Sequence, residues 1–152
     1  MSLENQIISL LKIHEQDVNT YREETKLFRA SNSYWDRFCD KYEKDLFLIT
    51  DLIHKSLIAR KSELNGININ MMVDHTIRAY FDDTCYGISI ANPYAVFSYC
   101  EAILLKCEDS TQPKYNIIYL DCVGYNDVCR FRSEDELVAE LIRLRDFFRI
   151  KN

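Results

Sequence analysis

From Leu3 onward the apolar stripe positions Ile7, Leu10, Leu11, His14, Val18, Tyr21 and Phe28 recur at steps of three and four, the spacing of an amphipathic helix. Thr20 and Glu23 have the spacing of a capping box that would divide this helix. Ala30-Ser31-Asn32-Ser33 then reads as a turn, with Ser33 as the N-cap of a second stripe made by Trp35, Phe38, Tyr42, Leu46, Ile49, Ile53, Leu57 and Leu64. Asn65-Gly66 supplies the stop. Residues 1–65 are therefore expected to form a helical hairpin. At 1.5 Å per residue each arm would be about 40 Å long, so part of it would project and want a partner.

After Gly66 the period changes to two. Ile67, Ile69, Met71 and Val73 alternate with Asn68, Asn70, Met72 and Asp74, which predicts a strand with one buried face. A hairpin closed at Asp83-Thr84 sets Phe81 against Tyr86, Ala79 against Ile88 and Ile77 against Ile90, with every apolar side chain on one face. A further turn at Asn92-Pro93 would set Ile90 opposite Ala95, Ile88 opposite Phe97 and Tyr86 opposite Tyr99. The rival for residues 94–107 is a helix capped by Asn92 and opened by Pro93; the strand is preferred. Tyr115 to Val123 reads as a strand and Asp127 to Phe131 as its short return around Gly124-Tyr125-Asn126, placing Cys122 opposite Cys129. Ser133 and Glu136 form a capping box that opens a final helix carrying Leu137, Leu141, Leu144 and Phe148. The pattern predicts one α+β domain over residues 1–152. Its parts are a hairpin at 1–65, an antiparallel meander of four to five strands at 66–132 and a C-terminal helix at 133–150, with both helical parts packed on the sheet.

Composition narrows the function classes. The 152 residues, 47% of them hydrophobic, suffice for one substantial core. A net charge of −5 disfavours nucleic acid as a partner, because phosphate binding draws most of its affinity from cations. Arg143, Arg145, Arg149 and Lys151 do crowd the C-terminal end, where cations also complement a helix dipole. The chain opens without a basic n-region, and no apolar run approaches the ~20 residues of a membrane span. A cytoplasmic location and six reduced cysteines are the corresponding expectations.

The reactive side chains form no strong constellation. Cys100 and Cys107, like Cys122 and Cys129, lie seven apart, a spacing unlike that of structural zinc sites, so neither a metal nor a cofactor is expected. His75, Asp82, Asp83 and Cys85 resemble the parts of a nucleophilic triad, but the hairpin register puts His75 at the opposite end from Cys85. Glu101 and Asp121 interrupt apolar strands and are the acid–base candidates, as neighbours across two strands in one available register. The face of the meander turned away from the helices is more suggestive. Cys85, Gly87, Ser89 and Ala91 would floor a shallow trough walled by Arg78, Tyr80, Tyr94 and Val96, with tyrosine and arginine the types that dominate interface hot spots. The sequence thus favours a small acidic module, a regulator, inhibitor or immunity-type protein, that binds a protein partner without catalysis, through the trough of Arg78, Tyr80, Tyr94 and Val96 or through the helical hairpin. The alternatives are a small enzyme using Glu101 and Asp121 in a pocket between helices and sheet, and a structural homodimer.

Overall fold

The computed structural model describes residues 2–28, 32–92, 99–108 and 114–151. Two long helices, α1 (Leu3–Phe28) and α2 (Asn32–Ala59), pack along each other. Ser2 caps α1, its Oγ accepting from the Asn5 amide at 3.1 Å. Thr20 does not divide the helix, because its hydroxyl donates back to the Gln16 carbonyl at 3.0 Å, within an unbroken α1. Of the expected turn, residues 30–31 lie outside the described residues, and α2 is already helical at Asn32, ahead of the Ser33 cap. Ile7 and Leu11 of α1 and Ile49, Leu52, Ile53 and Leu57 of α2 are buried in the main core. Regular helix ends at Ala59, and the chain tightens through i→i+3 bonds such as Leu64 N–H to the Lys61 carbonyl at 3.1 Å. Gly66 then turns it at φ 80°, and Arg149 of the last helix lies where a β-carbon would stand.

Among the described residues six antiparallel strands follow: β1 (Ile67–Met71), β2 (Ile77–Phe81), β3 (Tyr86–Ala91), β4 (Cys100–Cys107), β5 (Tyr115–Ile117) and β6 (Cys129–Phe131). The first five run in meander order. The hairpin between β2 and β3 has the register expected from the alternation, Ala79 opposite Ile88 and Ile77 opposite Ile90. Thr84 locks its loop, accepting from the Tyr86 amide at 3.1 Å and donating to the Phe81 carbonyl at 2.7 Å.

Two parts of the expected sheet are corrected. The turn expected at Asn92-Pro93 runs into residues 93–98, outside the described residues, but the strand pairing on either side differs from the one it implied. β4 begins at Cys100, and Ile90 faces Ala102, Ile88 faces Leu104 and Tyr86 faces Lys106, seven positions beyond the expected partners. Asn92 is the reason: its buried amide donates to the Tyr99 carbonyl at 2.9 Å and clamps the two ends of a longer connection. The Tyr99 hydroxyl, also buried, lies 3.1 Å from Ser56 Oγ of α2. A shift by an odd number exchanges the two faces of the strand, so Cys100, Ala102 and Leu104 enter the core and Glu101, Ile103 and Leu105 go to the reverse side.

The hairpin expected between Tyr115–Val123 and Asp127–Phe131 is absent as well. β5 and β6 do not pair with each other but dock end to end on the same edge of β4, β5 against Leu105–Cys107 and β6 against Cys100–Ala102. Between them a 3-10 turn (Asp121–Val123) closes on Gly124 at φ 84°, bracketed by a bridge between Leu120 and Tyr125. Burial drives this departure. The turn delivers Val123 and Tyr125 to the core at 1% and 0% exposure, and the Tyr125 hydroxyl donates to Glu140 at 3.1 Å.

The last helix, α3 (Glu134–Lys151), starts at the predicted box. Ser133 Oγ accepts from the Glu136 amide at 3.2 Å, while Glu136 reaches past the cap to the Arg132 amide at 2.6 Å. Phe148 stacks on Tyr86 at 4.0 Å, which seats α3 on the same sheet face that the other helices cover. Arg60 joins the helix ends, its guanidinium bonding Glu63 at 2.8 Å, Glu134 at 3.0 Å and Asp135 at 2.7 Å. Glu4 of α1 accepts from the Glu134 amide at 3.2 Å. Among the described residues, no helix is long and apolar enough to cross a membrane.

Candidate functional site: the reverse face of the sheet

The core face of the sheet carries Ile77, Ala79, Phe81, Ile88, Ile90, Cys100, Ala102 and Leu104 and is covered by the helices. On the reverse face the register aligns one row across five strands: Asn68, Tyr80, Gly87, Leu105 and Ile117. Gly87 makes the row shallow. A β-carbon there would lie 2.8 Å from the Ala79 carbonyl oxygen and 3.0 Å from Tyr80 Cδ1. Glycine leaves that space to the Tyr80 ring, which leans over to Tyr115 at a centroid distance of 4.5 Å. Tyr115 closes the end of the trough from β5, opposite Cys107. Partial burial pushes its phenol up from the ordinary range, with smaller contributions from Cys107 and Tyr80.

Leu105 is only 3% exposed yet is no part of the main core cluster, so it belongs to a separate apolar strip on this face. Ile117, at 52% exposure, continues that strip outward. The next row holds Asn70, Arg78, Ser89 and Ile103. Arg78 Nε is buried without a hydrogen-bond partner. The guanidinium also draws down Asp74, whose carboxyl lies below the usual range mainly because the Thr76 hydroxyl and amide donate to it at 2.7 and 3.1 Å.

Of the residues expected to line the trough, Arg78 and Tyr80 stand together with Gly87 and Ser89 on this face. Tyr94 and Val96 lie outside the described residues. The wall opposite Arg78 and Tyr80 is built by Ile103 and Leu105 of β4 and Tyr115 of β5, which the sequence reading did not assign. The alternation of Cys100 to Cys107 carried their signal, but only with the register that Asn92 sets.

Glu101 and Asp121 are separated by the break in β5. Extending the β5 register would put Asp121 opposite Glu101; instead the chain leaves the ladder, and Arg130 of β6 takes that place with its Nε 3.6 Å from the Glu101 carboxylate. Asp121, itself exposed, opens the 3-10 turn. Glu101 projects from the reverse face, away from any pocket between helices and sheet. His75 stacks on Phe47 of α2 at 3.8 Å, at the end of the sheet remote from Cys85, so it serves packing. Cys85, Cys100, Cys107, Cys122 and Cys129 are free thiols, and burial pushes those of Cys100 and Cys129 up, away from the nucleophilic form. Among the described residues no group of three or more histidine, cysteine or carboxylate side chains is placed to hold a metal.

A second concavity, a shallow cleft of about 420 Å³, lies between β6 and α3 and is lined by Arg130, Phe131, Glu136, Ala139, Glu140 and Arg143. Its charges are largely spent internally. Arg143 donates to Glu140 and, at 2.8 Å, to the Val123 carbonyl. Arg145 likewise bonds the Asn65 carbonyl at 2.8 Å and Asp146 at 3.0 Å, so these two C-terminal arginines knit the fold. Comparison of the chain with protein-family models, with curated proteins and with solved structures finds no match.

Proposed function

We propose that this chain is a non-catalytic interaction module, a regulator or inhibitor that takes a protein partner on the reverse face of its sheet. The observation that carries the reading is the row of Tyr80, Gly87 and Leu105, with Tyr115 folded against it. Glycine there leaves room for the Tyr80 ring to meet Tyr115 beside an apolar strip, and tyrosine is a residue type that dominates binding hot spots. Arg78, half-buried at the edge of the strip, adds a guanidinium that a partner's carbonyl or carboxylate would engage. A cytoplasmic setting accords with the free thiols.

The test is affinity capture from the native host with the chain as bait, read by mass spectrometry, comparing the native protein with Arg78→Ala/Tyr80→Ala. Two hot-spot truncations of about 2 kcal/mol or more each would weaken a complex by several hundredfold and empty the capture. An unchanged set of captured proteins discards the trough as the binding surface.

A further inference from the structure

The outer edge of the sheet at β1 is open among the described residues, and its hydrogen-bonding groups can be assigned. Asp82 N–H bonds the Gly66 carbonyl at 2.9 Å and Met72 N–H bonds the Thr76 carbonyl at 2.8 Å, so the even-numbered residues of this stretch face β2. The amides and carbonyls of Ile69 and Met71 therefore point outward, as does the Ile67 carbonyl; the Ile67 amide is taken by the Leu64 carbonyl at 3.1 Å. Edge strands are ordinarily blunted by charge, proline or a bulge. None of these interrupts Ile67–Met71.

We propose that β1 pairs antiparallel with β1 of a second copy of this chain, centred on Ile69, joining two six-stranded sheets about a twofold axis. The inference is independent of the trough reading. The strand is close to a palindrome in character, Ile-Asn-Ile-Asn-Met. Centred on Ile69, it sets Ile67 against Met71 of the partner subunit, Asn68 against Asn70 of the partner subunit and Ile69 against Ile69 of the partner subunit. Apolar side chains meet apolar ones on the core face and carboxamides meet carboxamides on the reverse face, as an isologous contact requires. The same register lets the two Ile69 residues exchange both backbone bonds and each Met71 amide reach an Ile67 carbonyl. A slip of one residue would oppose outward groups with groups already bonded to β2. Ile67 to Met71 holds no charged side chain, so two chains of net charge −5 can approach there without abutting like charges.

Light scattering coupled to gel filtration tests this on the intact chain, at loadings up to about 100 µM, where a contact of micromolar affinity is populated. The expected mass is twice the 18.0 kDa of one chain. Asn68→Lys/Asn70→Lys and Asn68→Glu/Asn70→Glu alter exposed side chains only. Each should run as a monomer, because residue 68 meets residue 70 across the axis with like charge, and mixing the two should restore a one-to-one dimer. Hydrogen exchange on the native chain gives a readout without substitution: the Ile69 and Met71 amides should become protected as concentration rises. A native monomer throughout, a dimer indifferent to both charge variants, or a mixture that fails to reassociate would each overturn the proposal.

Discussion

Replacing Gly87 by alanine tests the packing on which the trough depends. The new β-carbon would stand 2.8 Å from the Ala79 carbonyl oxygen and 3.0 Å from Tyr80 Cδ1. The first neighbour is backbone in the middle of the sheet, flanked by Ala79 and Ile88, both fully buried, so it cannot swing aside as a surface side chain would. Forcing an extra methyl into such a site costs about 1–3 kcal/mol. Against this stands the ~0.5–1 kcal/mol by which alanine outdoes glycine inside a regular element. The difference leaves a net loss of about 1–2 kcal/mol, a fall of roughly 3–6 °C in Tm for a chain of this length. Thermal melts followed by circular dichroism measure it, and the near-ultraviolet tyrosine signal reports whether Tyr80 has moved off Tyr115. In a Tyr80→Ala background the ring contact is gone while the carbonyl contact stays, so the penalty should shrink without vanishing. A Gly87→Ala protein that melts at or above the native temperature would refute the argument.

Two further outcomes are expected. Arg60→Ala removes the link between α2 and the start of α3; as most of its partners are solvent-screened, the loss should be about 1 kcal/mol and should narrow in high salt, and a urea-melt difference that ignores salt would contradict an electrostatic role. Burial raises the Tyr99 and Tyr125 phenols and the Cys100 thiol, so each holds its proton when folded at a pH where the unfolded chain has released it. Their stabilising contribution is full below the unfolded values, near 8.5 for cysteine and about 10 for tyrosine, and drains as pH climbs toward the folded ones, at about 1.4 kcal/mol per pH unit for each ionised group. Denaturant melts between pH 8 and 11 should show stability falling, with a shallower fall for Tyr99→Phe; equal slopes for the two proteins would exclude Tyr99 as a contributor.

Legibility in the sequence followed the range of the determining contact. The hairpin from Ile77 to Ile90 and the box at Ser133 are set by neighbours a few residues away, and both stand where the alternation and the capping residues put them. Asn92 looked like a turn or a cap because those are its local uses. Its bond to the Tyr99 carbonyl spans seven residues and moved the whole of β4 by an odd step. The break between β5 and β6 was hidden for a related reason: Tyr125 is buried with its hydroxyl bonded to a helix residue fifteen positions on, a preference that a strand-period pattern cannot register. The trough was half visible accordingly. Arg78, Tyr80 and Gly87 came from the local hairpin, whereas Leu105 and Tyr115 depended on the shifted strand.

The bond from Glu134 to Glu4 joins positions 130 residues apart. During synthesis α1 therefore emerges with a group that receives α3 only after the sheet between them has been made. A nascent protein halted before α3 lacks Phe148, which packs on Phe81 and Tyr86, and leaves that part of the core face uncovered, the kind of surface that chaperones hold. A stop codon ahead of Leu137 should therefore yield a chain that is degraded rather than a smaller working version.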